Sequence, residues 1–292
     1  MAMLVALIFV QPQTASADVG PKPSLNITFL NLGDETRYVT ILSRYESTGP
    51  FSAYNPEMNN KELGYFDSKY YGEEDYVNEE AEMSWQAFAD YEDADGYYFL
   101  QVWWKLGGEV NQIRWGYHPP NNFKVLVYFP ETDSYAISGI YERYAFDSYY
   151  TVNANVADGE LLTLSKSYDY FSEAVGLLCR IVLTILIELL IAFLFRMRGK
   201  RVILTILIVN IITQVALNVA LNLIYFFEGV LMYLLCYFFL EILVVVVEAI
   251  AYSLLLRKQG VPIWKSLLYA VVANAATAVA GIFLAKWLPG MF

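Results

Sequence analysis

The sequence predicts a membrane protein: a four-helix transmembrane bundle preceded by a β-rich extracytoplasmic module of the α+β or β-sandwich-like class. Three observations carry that reading. The 292 residues are 57% hydrophobic and only 17% charged, where soluble domains average about 45–50% and about 25%. Four apolar runs toward the C-terminus are each long enough to span a bilayer. The charge is also divided. Residues 18–170 carry 25 acidic and 10 basic side chains, a net −15; residues 171–292 carry 5 and 9, a net +4; together they give the −11 of the chain. So acidic a chain lacks the basic footprint that nucleic acid requires.

Met1 to Val10 is almost wholly apolar, and the polar stretch after it ends in Ala15-Ser16-Ala17. Ten residues make a helix of about 15 Å, too short to cross a bilayer. Followed by small residues, the run reads as a signal peptide over 1–17, with a buried strand as the alternative. No Lys or Arg precedes it. A signal peptide places residues 18–165 outside the cytoplasm.

Within 18–165, alternation of apolar and polar residues predicts strands at Ser24–Leu32, Arg37–Ser43, Tyr97–Leu106, Gln112–Tyr117, Phe123–Phe129 and Tyr135–Tyr141. Pro130-Glu131-Thr132-Asp133 supplies a hairpin turn. One helix is expected near Ser84–Tyr91, and the acidic stretch from Asn55 to Glu82 reads as a long exposed loop. Asp90 to Gly96 invites a calcium-loop reading. With Gly96 at position 6, however, Tyr91 and Val102 fall where carboxylates are needed, so an acidic helix end stopped by glycine is favoured. Twenty-four tyrosines, paired at Tyr70-Tyr71, Tyr97-Tyr98 and Tyr149-Tyr150, fit either a binding surface or strand propensity, which is favoured. The single His118 and the absence of Cys from this module leave zinc without ligands.

Residues 166–292 hold the spans, at about 174–195, 202–227, 230–256 and 266–288. Seven of the nine basic residues of 171–292 lie in two loops, Arg196–Arg201 and Arg257–Lys265; only Glu228-Gly229 separates the middle spans. Positive loops stay in the cytoplasm. This agrees with the signal peptide and predicts a multi-pass plasma-membrane protein whose N-terminal module is outside.

Polar residues within spans are costly and face the bundle interior. Counted from the basic loops at about 1.5 Å per residue, Glu188, Asn210, Glu248 and Asn274 share one depth, one per span. A second layer lies farther out: Arg180, Asn218 and Glu241, with Arg180 and Glu241 able to pair. Asn210, Gln214, Asn218 and Asn222 form a stripe on one face, and Tyr237 and Tyr252 extend the Glu241/Glu248 face. Glu188 then Asn210, and Glu248 then Asn274, hint at a parallel repeat of two helix hairpins. Two carboxylates and two amides suit a hard cation or a shared proton; interhelical hydrogen bonding is the plainer reading. The metal, if any, is open. Cys179 and Cys236 lie in apolar spans and read as inert.

The chain resembles an uncharacterised family of membrane proteins from Gram-positive anaerobes, with a signal peptide, an exported domain and a four-helix C-terminal membrane region. Gly20–Ser24, Ser47–Pro50, Tyr91–Leu100, Tyr128–Tyr150, Asn210–Asn222 and Glu241–Tyr252 carry the resemblance. It implies the same two-module layout and brings no activity with it.

The expected function is an extracytoplasmic binding or sensing module, meeting an external ligand or a membrane partner and anchored by or coupled to the bundle in the lipid bilayer. The rival is a transporter or ion- or proton-coupled protein using the Glu/Asn layer. No nucleophile–base pair, phosphate loop or cofactor motif is recognisable, so an enzyme is disfavoured.

Overall fold

The computed structural model describes residues 20–32, 35–67, 75–107, 111–154 and 161–287. The leader expected over 1–17 and the Tyr70-Tyr71 pair lie outside the described residues. The strands are β1 (Ser24–Leu30), β2 (Arg37–Ser43), β3 (Ser47–Thr48), β4 (Phe51–Ser52), β5 (Tyr65–Asp67) and β6 (Asp75–Tyr76). Helix α1 (Glu79–Ala89) follows, then β7 (Tyr98–Leu106), β8 (Gln112–Trp115), β9 (Asn122–Phe129), β10 (Ser134–Ser138), β11 (Tyr141–Glu142), β12 (Asp147–Asn153), β13 (Leu161–Leu162) and β14 (Leu164–Lys166). The chain ends in helices α2 (Tyr170–Leu194), α3 (Lys200–Arg257) and α4 (Ile263–Trp287).

Two mixed sheets face each other. One runs β14-β12-β1-β8; the other runs β13-β10-β9-β2-β7-β5-β6, with β11 on β9. Leu25, Ile27 and Phe29 of β1 share one buried cluster with Val39, Ile41, Trp104, Val125 and Val127 of the larger sheet. The back of that sheet is covered by α1, where Trp85 and Phe88 meet Tyr38, Phe99, Trp103, Leu126 and Tyr128. Burial on both faces explains why β2 is buried at every position and β9 at all but its first. A strand covered on two sides has no face left for polar residues.

Several expected boundaries move. The strand expected over Tyr135–Tyr141 is two, β10 and β11, and β12 forms where no strand is expected. Strand β12 pairs in parallel with β1, Ser24 opposite Asp147, a partner that local pattern cannot announce. Helix α1 starts at Glu79 rather than Ser84, because the Asn78 side chain accepts from Ala81 N and Glu79, Glu80 and Glu82 fill the first turn. It ends at Ala89. Strands β5 and β6 and that first turn interrupt the loop expected over Asn55–Glu82.

The described helices long and apolar enough to cross a membrane number three, not four. The two middle spans are joined in α3, whose backbone leaves the helical region only at Gly229 (φ 80, ψ −176). A straight helix of that length would reach about 87 Å, but α3 doubles back. Thr213 Oγ1 reaches Glu248 Oε1 at 2.6 Å, Asn210 Nδ2 reaches the Tyr252 hydroxyl at 3.1 Å, and Gln259 Nε2 reaches Thr205 Oγ1 at 2.8 Å. Each pair brackets Gly229. Glycine is required there twice over: φ is left-handed, and a Cβ would stand 2.6 Å from the Phe146 ring. Outward faces carry Leu186, Phe193, Phe238, Phe239 and Leu254, all exposed in the isolated chain and suited to contact with lipid.

The β-rich region packs against the Gly229 end of the helices. Phe146 N donates to Phe226 O at 2.8 Å, and Phe226 lies among the rings of Tyr144, Tyr168 and Tyr170. The basic loops lie at the opposite end, where Phe195 and Met197 pack with Leu256 and Tyr269.

Candidate functional site

The buried stripe of α3 runs Ile206, Asn210, Thr213, Gln214, Leu217, Asn218, Leu221 before the reversal, and Val244, Glu248, Tyr252, Leu256 after it. Steps of three and four keep these on one face. That face turns Asn210 and Glu248 toward Glu188 on α2 and Asn274 on α4. The four polar residues expected at one depth therefore meet, at 0% exposure for Glu188 and Glu248, 1% for Asn210 and 2% for Asn274.

The same bond is made twice. Asn210 Nδ2 donates to Glu188 Oε2, and Asn274 Nδ2 donates to Glu248 Oε2 at 2.7 Å. Each bond lies between the helices of one hairpin, as a two-hairpin repeat requires. The Thr213 hydroxyl donates to Glu248, and the Tyr269 hydroxyl donates to the Glu188 backbone oxygen at 3.2 Å, with Oε2 at 3.4 Å. Three buried oxygens of this layer have no partner among the described residues: Glu188 Oε1, Asn210 Oδ1 and Asn274 Oδ1. All three are acceptors, with no hydrogen to give. Thr213 and Tyr269 are members of the layer that sequence reasoning misses. Thr213 carries a signal, being three residues after Asn210 on the same face; Tyr269, within an apolar run, carries none.

The second layer departs from expectation. Arg180 and Glu241 do not pair, for every ion pair among the described residues lies in the β-rich region. Arg180 Nη2 instead donates to Asn222 Oδ1 at 3.2 Å, because Asn222, one turn beyond Asn218, presents its amide to the guanidinium. Asn218 Nδ2 turns back to Gln214 O at 2.9 Å. Arg180, Asn218, Asn222 and Glu241 nevertheless line one cavity of about 610 Å³ between the helices. Its inner lining includes Ile187 and Gln214, sequence neighbours of Glu188 and Thr213. A smaller pocket of about 270 Å³, lined by Asp147, Tyr149, Tyr168, Asp169 and Phe226, shares Ser172, Glu173 and Tyr225 with it. The two adjoin at those three residues, between β12 and the bundle.

In the β-rich region the acidic stretch Asp90–Gly96 already holds a cation. Lys124 Nζ donates to Asp93 Oδ1 at 2.7 Å, Asp93 Oδ2 at 3.0 Å and Asp95 Oδ2 at 2.5 Å. The side chains of Lys124 and Asp93 are 6% and 1% exposed. Burial alone would depress this amine, but the bonds and charges of Asp93 and Asp95 outweigh it and hold the ammonium above its usual value. In the Tyr97-Tyr98 and Tyr149-Tyr150 pairs one ring is buried and its neighbour exposed, as strand alternation dictates. His118 packs edge-on against Tyr117. No family model matches this sequence, and no curated protein or solved structure matches it.

Proposed function

We propose that this chain is a multi-pass plasma-membrane protein of four spans, with its β-rich region outside the cytoplasm. In this reading the bundle binds a small cation, a proton or an alkali ion, as part of an ion-coupled transport cycle. The observation that carries it is the Glu188–Glu248 layer: two carboxylates sealed in one place, no basic side chain in salt-bridge range among the described residues, and three unpartnered acceptor oxygens. Two carboxylates in a dry interior need a neutralising cation. With only two carboxylates and otherwise amide oxygens and hydroxyls, the donor set suits a proton or a hard ion rather than a transition metal. Interhelical adhesion by itself gives these three acceptors no role.

The four-span topology draws support from the reversal at Gly229, and the orientation from the seven basic residues at the end remote from the β-rich region. A second reading, sensing by the outer module with the bundle as relay, is favoured by the docking of Phe146 on Phe226, which would convey any movement of the module to both arms of α3.

The test is the thermal unfolding of the purified full chain across pH, and in sodium, lithium or potassium chloride against choline chloride at constant ionic strength. The expected result is a midpoint that follows one alkali cation, or pH below about 9, and a Glu188→Gln/Glu248→Gln variant that is folded and has lost that response. A wild-type midpoint indifferent to every cation overturns the proposal.

A further inference from the structure

Outward of that layer, the cavity of about 610 Å³ contains two opposite charges that do not meet. Arg180 gives one hydrogen bond, to Asn222 Oδ1, and its buried Nε has no acceptor. Glu241 has Tyr237, one turn before it, as its hydrogen-bonding neighbour, and no Lys or Arg within 4.0 Å among the described residues. Opposite charges on neighbouring helices in hydrocarbon surroundings gain by closing on each other, because each lacks water. Here they stay apart and face a shared space that also receives Gln214, Asn218 and Tyr233.

We propose that this cavity binds a small zwitterion, its carboxylate or phosphate on Arg180 and its primary ammonium on Glu241. A purely cationic ligand would meet Arg180, and a purely anionic one would meet Glu241; only a molecule carrying both signs satisfies both. A guanidinium fork suits an oxyanion and a carboxylate suits an ammonium. The amides of Gln214 and Asn218 supply further hydrogen bonds. The volume falls within the range of small-molecule sites, about 300–1,000 Å³, and the pocket beside Tyr149 and Asp169 adjoins it at Ser172, Glu173 and Tyr225. The inference deepens the transport reading by naming the class of solute that the cation would accompany. The same chemistry occurs in a free amino acid and in a phosphatidylethanolamine headgroup.

The experiment uses the full chain in nanodiscs of phosphatidylglycerol, a lipid without a primary amine. Pooled L-amino acids and phosphoethanolamine are titrated by calorimetry, and matched discs containing phosphatidylethanolamine are compared by thermal unfolding. A response to free amino acids or phosphoethanolamine identifies a soluble solute; a response to phosphatidylethanolamine alone identifies the headgroup. In either case Arg180→Gln and Glu241→Gln are expected to weaken binding about tenfold or more, and N-acetylated or carboxyl-amidated amino acids are expected to fail. Gly281→Leu guards against misfolding. A Cβ at Gly281 meets nothing within 4 Å and the residue lines the cavity, so the larger side chain takes up cavity space while both charged side chains are retained, and binding should be lost in a folded protein. Equal binding of the blocked amino acids, or no response to any of these probes, overturns the inference. Zwitterion binding without any cation response would leave it standing and remove the ion-coupled reading instead; a cation response without zwitterion binding would do the reverse.

Discussion

Lys124 and Glu248 are both sealed from solvent, one in the β-rich region and one among the helices, yet their surroundings differ in kind. Lys124 is saturated: three carboxylate oxygens of Asp93 and Asp95 receive its ammonium, and Asp93 Oδ2 also accepts from the backbone of Asp95 and Tyr97. Glu248 and its companion Glu188 receive only neutral donors, from Thr213, Asn274, Asn210 and Tyr269, and the layer retains three bare acceptors. A buried charge with a complete set of partners organises a fold. The spare acceptors beside the two carboxylates, on Glu188, Asn210 and Asn274, are the groups that the proposed cation would use.

The contrast can be broken most forcefully at Lys124. Lys124→Met leaves Asp93 buried without its cation and should destabilise the β-rich region by about 3–5 kcal/mol in chemical denaturation, with Lys124→Met/Asp93→Asn recovering much of the loss. Alkali should probe the same region next. The Lys124 ammonium is held above its usual value, and burial, with the Asp133 bond, pushes the Tyr128 hydroxyl up to about 12; burial beside Tyr144 and Tyr141 does the same to Tyr150. Groups whose folded values are raised contribute their full stability below the unfolded values and lose it as pH climbs through the folded ones. Circular dichroism should therefore show the β-rich region weakening between about pH 10 and about pH 12, each tyrosine contributing on the order of 2 kcal/mol.

In the helices the effects should be smaller and should depend on cations. Thr213→Val removes one donor to Glu248 and should cost about 1.5 kcal/mol, which thermal unfolding in sodium chloride against choline chloride checks. Glu248→Gln should cost least, under about 1 kcal/mol or even a gain, since a neutral amide replaces a buried charge, while eliminating half of the proposed cation site. A large loss of stability in Glu248→Gln would place the helical layer in the same class as Lys124.

Sparse signals are the legible ones. A single Glu or Asn in an apolar span stands out, and its distance from a basic loop fixes its depth, so spacing alone groups Glu188, Asn210, Glu248 and Asn274. What spacing does not contain is the rotation of one helix against another. Arg180 has both Asn222 and Glu241 at plausible heights, and only packing chooses the amide. Thr213 and Tyr269 blend into their helices because a lone hydroxyl costs little there. In the β-rich region, β2, β7 and β9 betray themselves by β-branched and aromatic runs. Strand β12 does not, because its pairing with β1 spans most of that region. The two-residue link Glu228-Gly229 marks a reversal correctly but is too short to part the middle spans into separate helices.

The bond from Phe146 N to Phe226 O has a bearing on biogenesis. Eighty residues separate donor from acceptor, so the ribosome completes the β-rich region well before its resting place exists. At about 5–20 residues per second, the β-rich region is complete for several seconds before the first arm of α3 has been made. Over that interval the rings of Tyr144, Tyr168 and Tyr170 lack the Phe226 ring that they enclose in the finished chain.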